Sequence, residues 1–172
     1  MIMPQGQQLL LPANPVFIGA SIAVALLFNM LPLGRVPWMP DVLAVVLLFW
    51  TVHQPQRVAI GTAFALGLVM DVHQTALLGQ HALAYSALAF LGMLVHRRVL
   101  WFPVPSQTLQ LFPLFAGAFA LEFVVRMVAG GTLPGWLALL KPLLTTALWP
   151  LANLLLLAPQ RRAPDPDLNR PL

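Results

Sequence analysis

The chain has 172 residues, 59% of them apolar and only 8% charged, where an average globular protein is about 45–50% apolar and about 25% charged. Nine bases and five acids cannot cover the surface of a soluble protein of this size. The sequence is that of an integral membrane protein, with a mean hydropathy of +0.83, and it excludes a cytosolic enzyme, a nucleic-acid-binding domain and a disordered linker.

Residues 1–15 form a short N-terminal segment without Lys or Arg. No basic n-region and no small-residue cleavage site is evident, so the first apolar stretch is expected to be retained. Six apolar stretches follow, at Val16–Leu33, Met39–Val52, Val58–Met70, Ala82–Val95, Leu109–Ala129 and Leu137–Ala158. Breaker clusters separate them: Leu33–Pro37, His53–Arg57 with Pro55, Val95–Gln107 with two prolines, and the Gly/Pro turn Gly130–Gly135. Residues 16–158 read as one transmembrane helical domain, and 159–172 as a polar, proline-rich cytoplasmic tail.

The stretches are continuously apolar rather than alternating, so helices, not barrel strands, satisfy the backbone in lipid. The expected fold is an all-α integral membrane protein with a bundle of about six transmembrane helices. The second, third and fourth stretches are short for a span of about 20 residues. Five spans plus a re-entrant segment is therefore an alternative. Extending the third stretch to Leu78 supplies length but places Asp71 inside the membrane. With six spans, Arg57, Arg97, Arg98, Arg161, Arg162 and Arg170 share one side with both termini. That side is expected to be cytoplasmic. Trp38, Trp50, Trp101 and Trp136 fall near span ends, where amphipathic rings are favoured, while Trp149 lies inside the last span.

Asp71 is the most informative single residue. A carboxylate at membrane depth is costly, about 2.5–3.5 kcal/mol at a helix centre by insertion scales. Two readings stand: it caps backbone donors or meets a base on an adjacent helix, or it belongs to a partner or ligand site. Gly61, Ala63, Ala65 and Gly67 make two small-xxx-small pairs, Gly61/Ala65 and Ala63/Gly67, suited to close helix approach. Gly67 and Asp71 are four apart and share a helical face. Glu122 and Arg126 are also four apart in the fifth stretch, in the order that suits an intramembrane ion pair. Asp41, after Pro40, is expected to cap the second helix. Pro150 is expected to kink the last helix beside Trp149.

The histidines His53, His73, His81 and His96 have no metal-ligand spacing and read as polar loop residues; no metal or cofactor is expected. There is no cysteine. Ser21 and Ser86 lack a nucleophile-elbow context, Lys141 lacks a serine partner, and no paired catalytic groups lie at depth, so no enzyme is expected.

The run from Met39 to Leu91 resembles the core of the rod shape-determining MreD family. The resemblance rests on Pro40-Asp41, Phe49-Trp50, Pro55-x-Arg57-Val58, Gly61-Thr62-x-Phe64, Gly67-x-x-x-Asp71 and Leu78-Gly79, with Leu148-Trp149-Pro150 as a later piece. It implies a non-enzymatic protein of the bacterial inner membrane. The implied partners are an MreC-like protein and, indirectly, the MreB filament and the RodA-type glycosyltransferase with its class B penicillin-binding protein, which together make lateral peptidoglycan. It also implies a helix arrangement like that of the substrate-binding subunits of energy-coupling-factor transporters. By the same analogy the helix-packing or partner-interface candidates are Gly61, Ala63, Gly67, Asp71, Gly79, Trp149 and Pro150, with Pro55 and Arg57 in the turn between spans 2 and 3. The alternative function is a small-solute-binding subunit of a transporter, favoured by Asp71, His73, Gln74, Gln80 and His81 near the outer face.

Overall fold

The computed structural model describes residues 13–31, 38–131 and 135–160. Residues 1–12, 32–37, 132–134 and 161–172 lie outside this description, so Arg35, most of the N-terminal segment and nearly all of the polar tail are not placed. The described residues form helices only: α1 Pro15–Met30, α2 Val42–His53, α3 Ile60–His73, α4 Gln80–Leu100, α5 Val104–Val128, α6 Leu140–Ala147 and α7 Trp149–Leu157. Short 3-10 turns, Trp136–Leu139 and Ala158–Gln160, flank the last two. The six apolar stretches are thus six helical passes, the last of them segmented. Three are long and apolar enough to cross a membrane: α4, α5 and the composite Trp136–Gln160.

The boundaries follow local chemistry. Asn14 accepts from Val16 N at 2.9 Å and Pro15 sits in the first turn of α1, where a missing N–H costs nothing. Asp41 caps α2, accepting from Ala44 N at 2.9 Å. α4 and α5 run further than their apolar cores, because Arg97 and Arg98 close the last turn of α4 and Pro105 falls in the first turn of α5. Pro150 likewise occupies the first turn of α7. The expected kink beside Trp149 is a break at Leu148, two residues before the proline.

The 12-residue α2 is the centre of the bundle. Leu43 to Val52 are all buried, enclosed mainly by α1, α4, α6 and α7. A helix that is apolar all round is buried all round. At 1.5 Å per residue α2 is only about 18 Å long, and protein rather than lipid surrounds it. Trp50, expected near an interface, is 0% exposed and donates from Nε1 to Ser21 Oγ at 2.8 Å. Trp38, Trp101 and Trp136 are exposed at helix ends. The outer faces are apolar instead, with Val24 and Leu27 on α1, Leu83 and Leu94 on α4, and Leu109 and Val124 on α5 all exposed. A belt of that extent is a lipid-facing surface, not a soluble one.

The up-down order separates charge. Asp41, Asp71 and Glu122 lie at the end of the bundle where α1, α3 and α5 finish and α2, α4 and α6 begin. Arg57, Arg97 and Arg98 lie at the opposite end, with the α2–α3 and α4–α5 connections.

Candidate functional site

The acidic end contains two buried polar centres. The first joins α3 to α4, which pack against each other more extensively than any other pair of helices. Gly67 makes this possible. A Cβ there would stand within 3.0 Å of Ala82 Cα and N and of the His81 carbonyl carbon, all of them backbone atoms. The close approach delivers Asp71, 0% exposed, to the first turn of α4. Its Oδ2 accepts from Gly79 N at 2.8 Å and Ala82 N at 3.4 Å; its Oδ1 accepts from His81 N at 2.7 Å and meets His81 Nδ1 at 2.8 Å. The N-cap of α4 is Gly79, at φ +102, a conformation that favours glycine and leaves the cap without a side chain. Asp71 supplies that cap from another helix. Its negative charge faces the positive end of the α4 dipole, and it satisfies the buried His81 and Ala82 donors as well as the part-buried Gly79 amide.

Of the two readings of Asp71, the structure matches the first. The carboxylate is spent on α4 and has no surface with which to touch a second protein. His81, expected as a polar loop residue, is instead a buried partner of Asp71 in the first turn of α4. His73 is exposed at the end of α3. The small-residue pairs divide as well. Ala63 and Gly67 are buried at the α4 contact, whereas Gly61 has nothing within 4 Å of a built Cβ and Ala65 is exposed. Gly67→Ala is therefore expected to cost about 1–3 kcal/mol through backbone overpacking, while Gly61→Ala, unobstructed within α3, should be neutral or stabilise by up to about 1 kcal/mol. Thermal unfolding of the two variants in detergent checks the contrast.

The second centre ties α1, α2, α4 and α6 together. Asp41 Oδ1 accepts from Asn29 Nδ2 at 2.7 Å, and Oδ2 accepts from the Tyr85 hydroxyl at 2.7 Å. Asp41 N donates to Thr145 Oγ1 at 3.0 Å, and Val42 N donates to Asn29 Oδ1 at 3.2 Å. Beside it, Lys141 Nζ donates to Glu122 Oε2 at 3.1 Å and stands 5.5 Å from the Phe119 ring centroid. The expected Glu122–Arg126 pair does not form. Arg126 is exposed, and Glu122 faces inward toward α6, so the cation comes from the neighbouring helix rather than from the next turn of α5. Asp41, Tyr85, Glu122, Lys141 and Thr145 line one cavity of about 20 Å³, room for about one water.

Of the remaining candidates, Trp149 is 0% exposed and donates from Nε1 to Gln107 Oε1 at 3.1 Å, while Pro150 beside it is exposed. Arg57 Nη1 donates to Ala13 O at 2.8 Å, so the turn holding Pro55 is tied to the start of α1. Sequence reasoning missed Asn29, Tyr85, Gln107 and Thr145. Asn29 is a single polar residue within an apolar run, and that was the available signal; Tyr85, Gln107 and Thr145 each stand next to another polar residue and carry no such mark. Their inter-element partners lie 12 or more positions away, beyond the reach of any spacing rule.

The fold and this interior define a polytopic helical membrane protein whose buried acids hold its own helices in register. A family model described as rod shape-determining protein MreD matches residues 12–158. The rod shape-determining protein MreD of Haemophilus influenzae is 32% identical over 129 residues, covering 73% of this chain and 77% of that protein. No solved structure matches. The chain belongs to the rod shape-determining MreD family.

Proposed function

We propose that the chain is a non-enzymatic component of the rod complex in the bacterial inner membrane, with both termini cytoplasmic. In this role it supports an MreC-like protein and, through it, the MreB filament and the RodA-type glycosyltransferase with its class B penicillin-binding protein. The observation that carries this reading is the family match, which extends over nearly all of the described bundle. Two features support it. The basic residues Arg57, Arg97 and Arg98 share one end of the bundle, as the positive-inside rule asks of a cytoplasmic face. The buried acids Asp71 and Glu122 are each occupied by a partner inside the chain, which suits a rigid binding module. Solute binding is less favoured, because the cavity at the acidic end has a volume of only about 20 Å³.

The test is purification of the tagged chain from native membranes in mild detergent, followed by mass spectrometry of the co-purifying proteins. The MreC-like protein and the wall-synthase pair are expected. ATPase subunits without any wall-synthesis protein would overturn the reading in favour of a transporter subunit.

A further inference from the structure

At the basic end, α4 closes into α5 through a tight corner. Trp101 N donates to Arg98 O and Phe102 N to Val99 O, each at 3.2 Å. Core residues hold this corner rigid. Val99 is buried, and the buried Gln107 donates from Nε2 to Phe102 O at 2.9 Å while its Oε1 accepts from Trp149. Outside the corner is an open cleft of about 390 Å³ lined by Arg97, Arg98, Trp101 and Phe102. Among the described residues neither arginine has a salt-bridge partner, and all three acids lie at the opposite end of the bundle. Trp101 is 89% exposed.

Two exposed guanidinium groups that meet no carboxylate among the described residues can hold an anion, and their surroundings say which kind. The 21 residues of α4 span about 31 Å, which matches a hydrocarbon core of about 30 Å. With Gln80 at one boundary, the Arg97–Phe102 corner falls in the other headgroup layer. Phe90, Leu91 and Leu94 are exposed on α4 one to two turns before the arginines, so the cleft opens onto an apolar face that acyl chains can follow. An aromatic ring beside the guanidinium groups suits the same layer. That face already meets lipid, so a lipid brings its headgroup to the arginines with its acyl chains in place, whereas a soluble acidic peptide would have to enter the headgroup layer.

We propose that the α4–α5 corner is a binding site for the phosphodiester headgroup of an anionic membrane lipid, with Arg97 and Arg98 on the phosphate and Trp101 at the glycerol level. The site rests on the membrane placement of α4 and is independent of which proteins the bundle binds.

The experiment uses the full chain in nanodiscs of mixed phosphatidylglycerol and phosphatidylcholine. Either lipid carries brominated acyl chains, and the tryptophan quenching lost on Trp101→Phe reports the occupant of the corner. Each guanidinium near an anionic surface contributes about a five-fold preference, and two adjacent ones add incompletely. Trp101 is therefore expected to favour phosphatidylglycerol roughly tenfold. Arg97→Gln/Arg98→Gln should bring the ratio to about one, and Arg97→Lys/Arg98→Lys should retain most of it. Equal quenching by the two lipids in the unmodified chain would overturn the proposal, as would a preference that the double Gln variant leaves intact. Lipid indifference together with an acidic protein that co-purifies only when both arginines are present would assign the corner to a protein partner instead. If the Gln variant fails to insert, the ratio for the unmodified chain and the Lys variant still decides the matter.

Discussion

Asp71→Ala is expected to loosen the α3–α4 joint and cost on the order of 3 kcal/mol, because several donors, most of them buried, lose their acceptor at once. The Gly79, His81 and Ala82 amides and the His81 ring all converge on this one carboxylate. Asp71→Asn keeps the volume but offers one acceptor oxygen where two were used, so its loss should be intermediate. The measurements are thermal unfolding in detergent and hydrogen exchange of the first turn of α4. A fall in stability with fast exchange at Gly79 and His81 is the expected pair of results. A direct partner role would look different: stability and exchange would stay normal while co-purification of the rod complex failed. In cells the variant should give rounded shape in proportion to its reduced level in the membrane, and higher expression should restore part of the rod form.

Hydropathy and breakers located the six passes, because lipid forces every span to satisfy its own backbone and leaves little freedom in composition. The packing face of α3 was also legible, since Ala63, Gly67 and Asp71 fall on one side at helical spacing. What surrounds each span was not. Lipid tails and protein interior are equally apolar, so the sequence of α2 reads the same whether it faces acyl chains or α4. Trp50 and Trp149 were ambiguous for the same reason. Their ring nitrogens go to Ser21 and Gln107, 29 and 42 positions away. The partner of Asp71 was hidden in another way. His81 looked like a loop residue because nothing local marks Gly79 as a helix start that lacks its own cap.

The pairing of Glu122 shows the same limit and sets up the second large effect. The i,i+4 rule describes an isolated helix surrounded by water. In this bundle Glu122 is 7% exposed and Arg126 points outward, so the nearer cation in sequence is the farther one in space. Lys141→Met should therefore leave Glu122 without a cation beside a second carboxylate, Asp41, that lines the same cavity. Breaking a buried pair from one side costs about 3–5 kcal/mol. The Lys141 side chain keeps 21% of its exposure, which places the expected loss near the lower end, about 3 kcal/mol. Arg126→Met should change stability by less than about 0.5 kcal/mol. Replacing both members, Glu122→Gln with Lys141→Met, should recover most of the loss, because no charge is then stranded at depth. The coupling in that double-mutant cycle, read from thermal unfolding in detergent, should reach about 1–3 kcal/mol. The cycle of Glu122 with Arg126 should show essentially none. If the two cycles came out reversed, α5 would have to be turned so that Arg126 faces inward, and the contact of α5 with α6 would be lost with it.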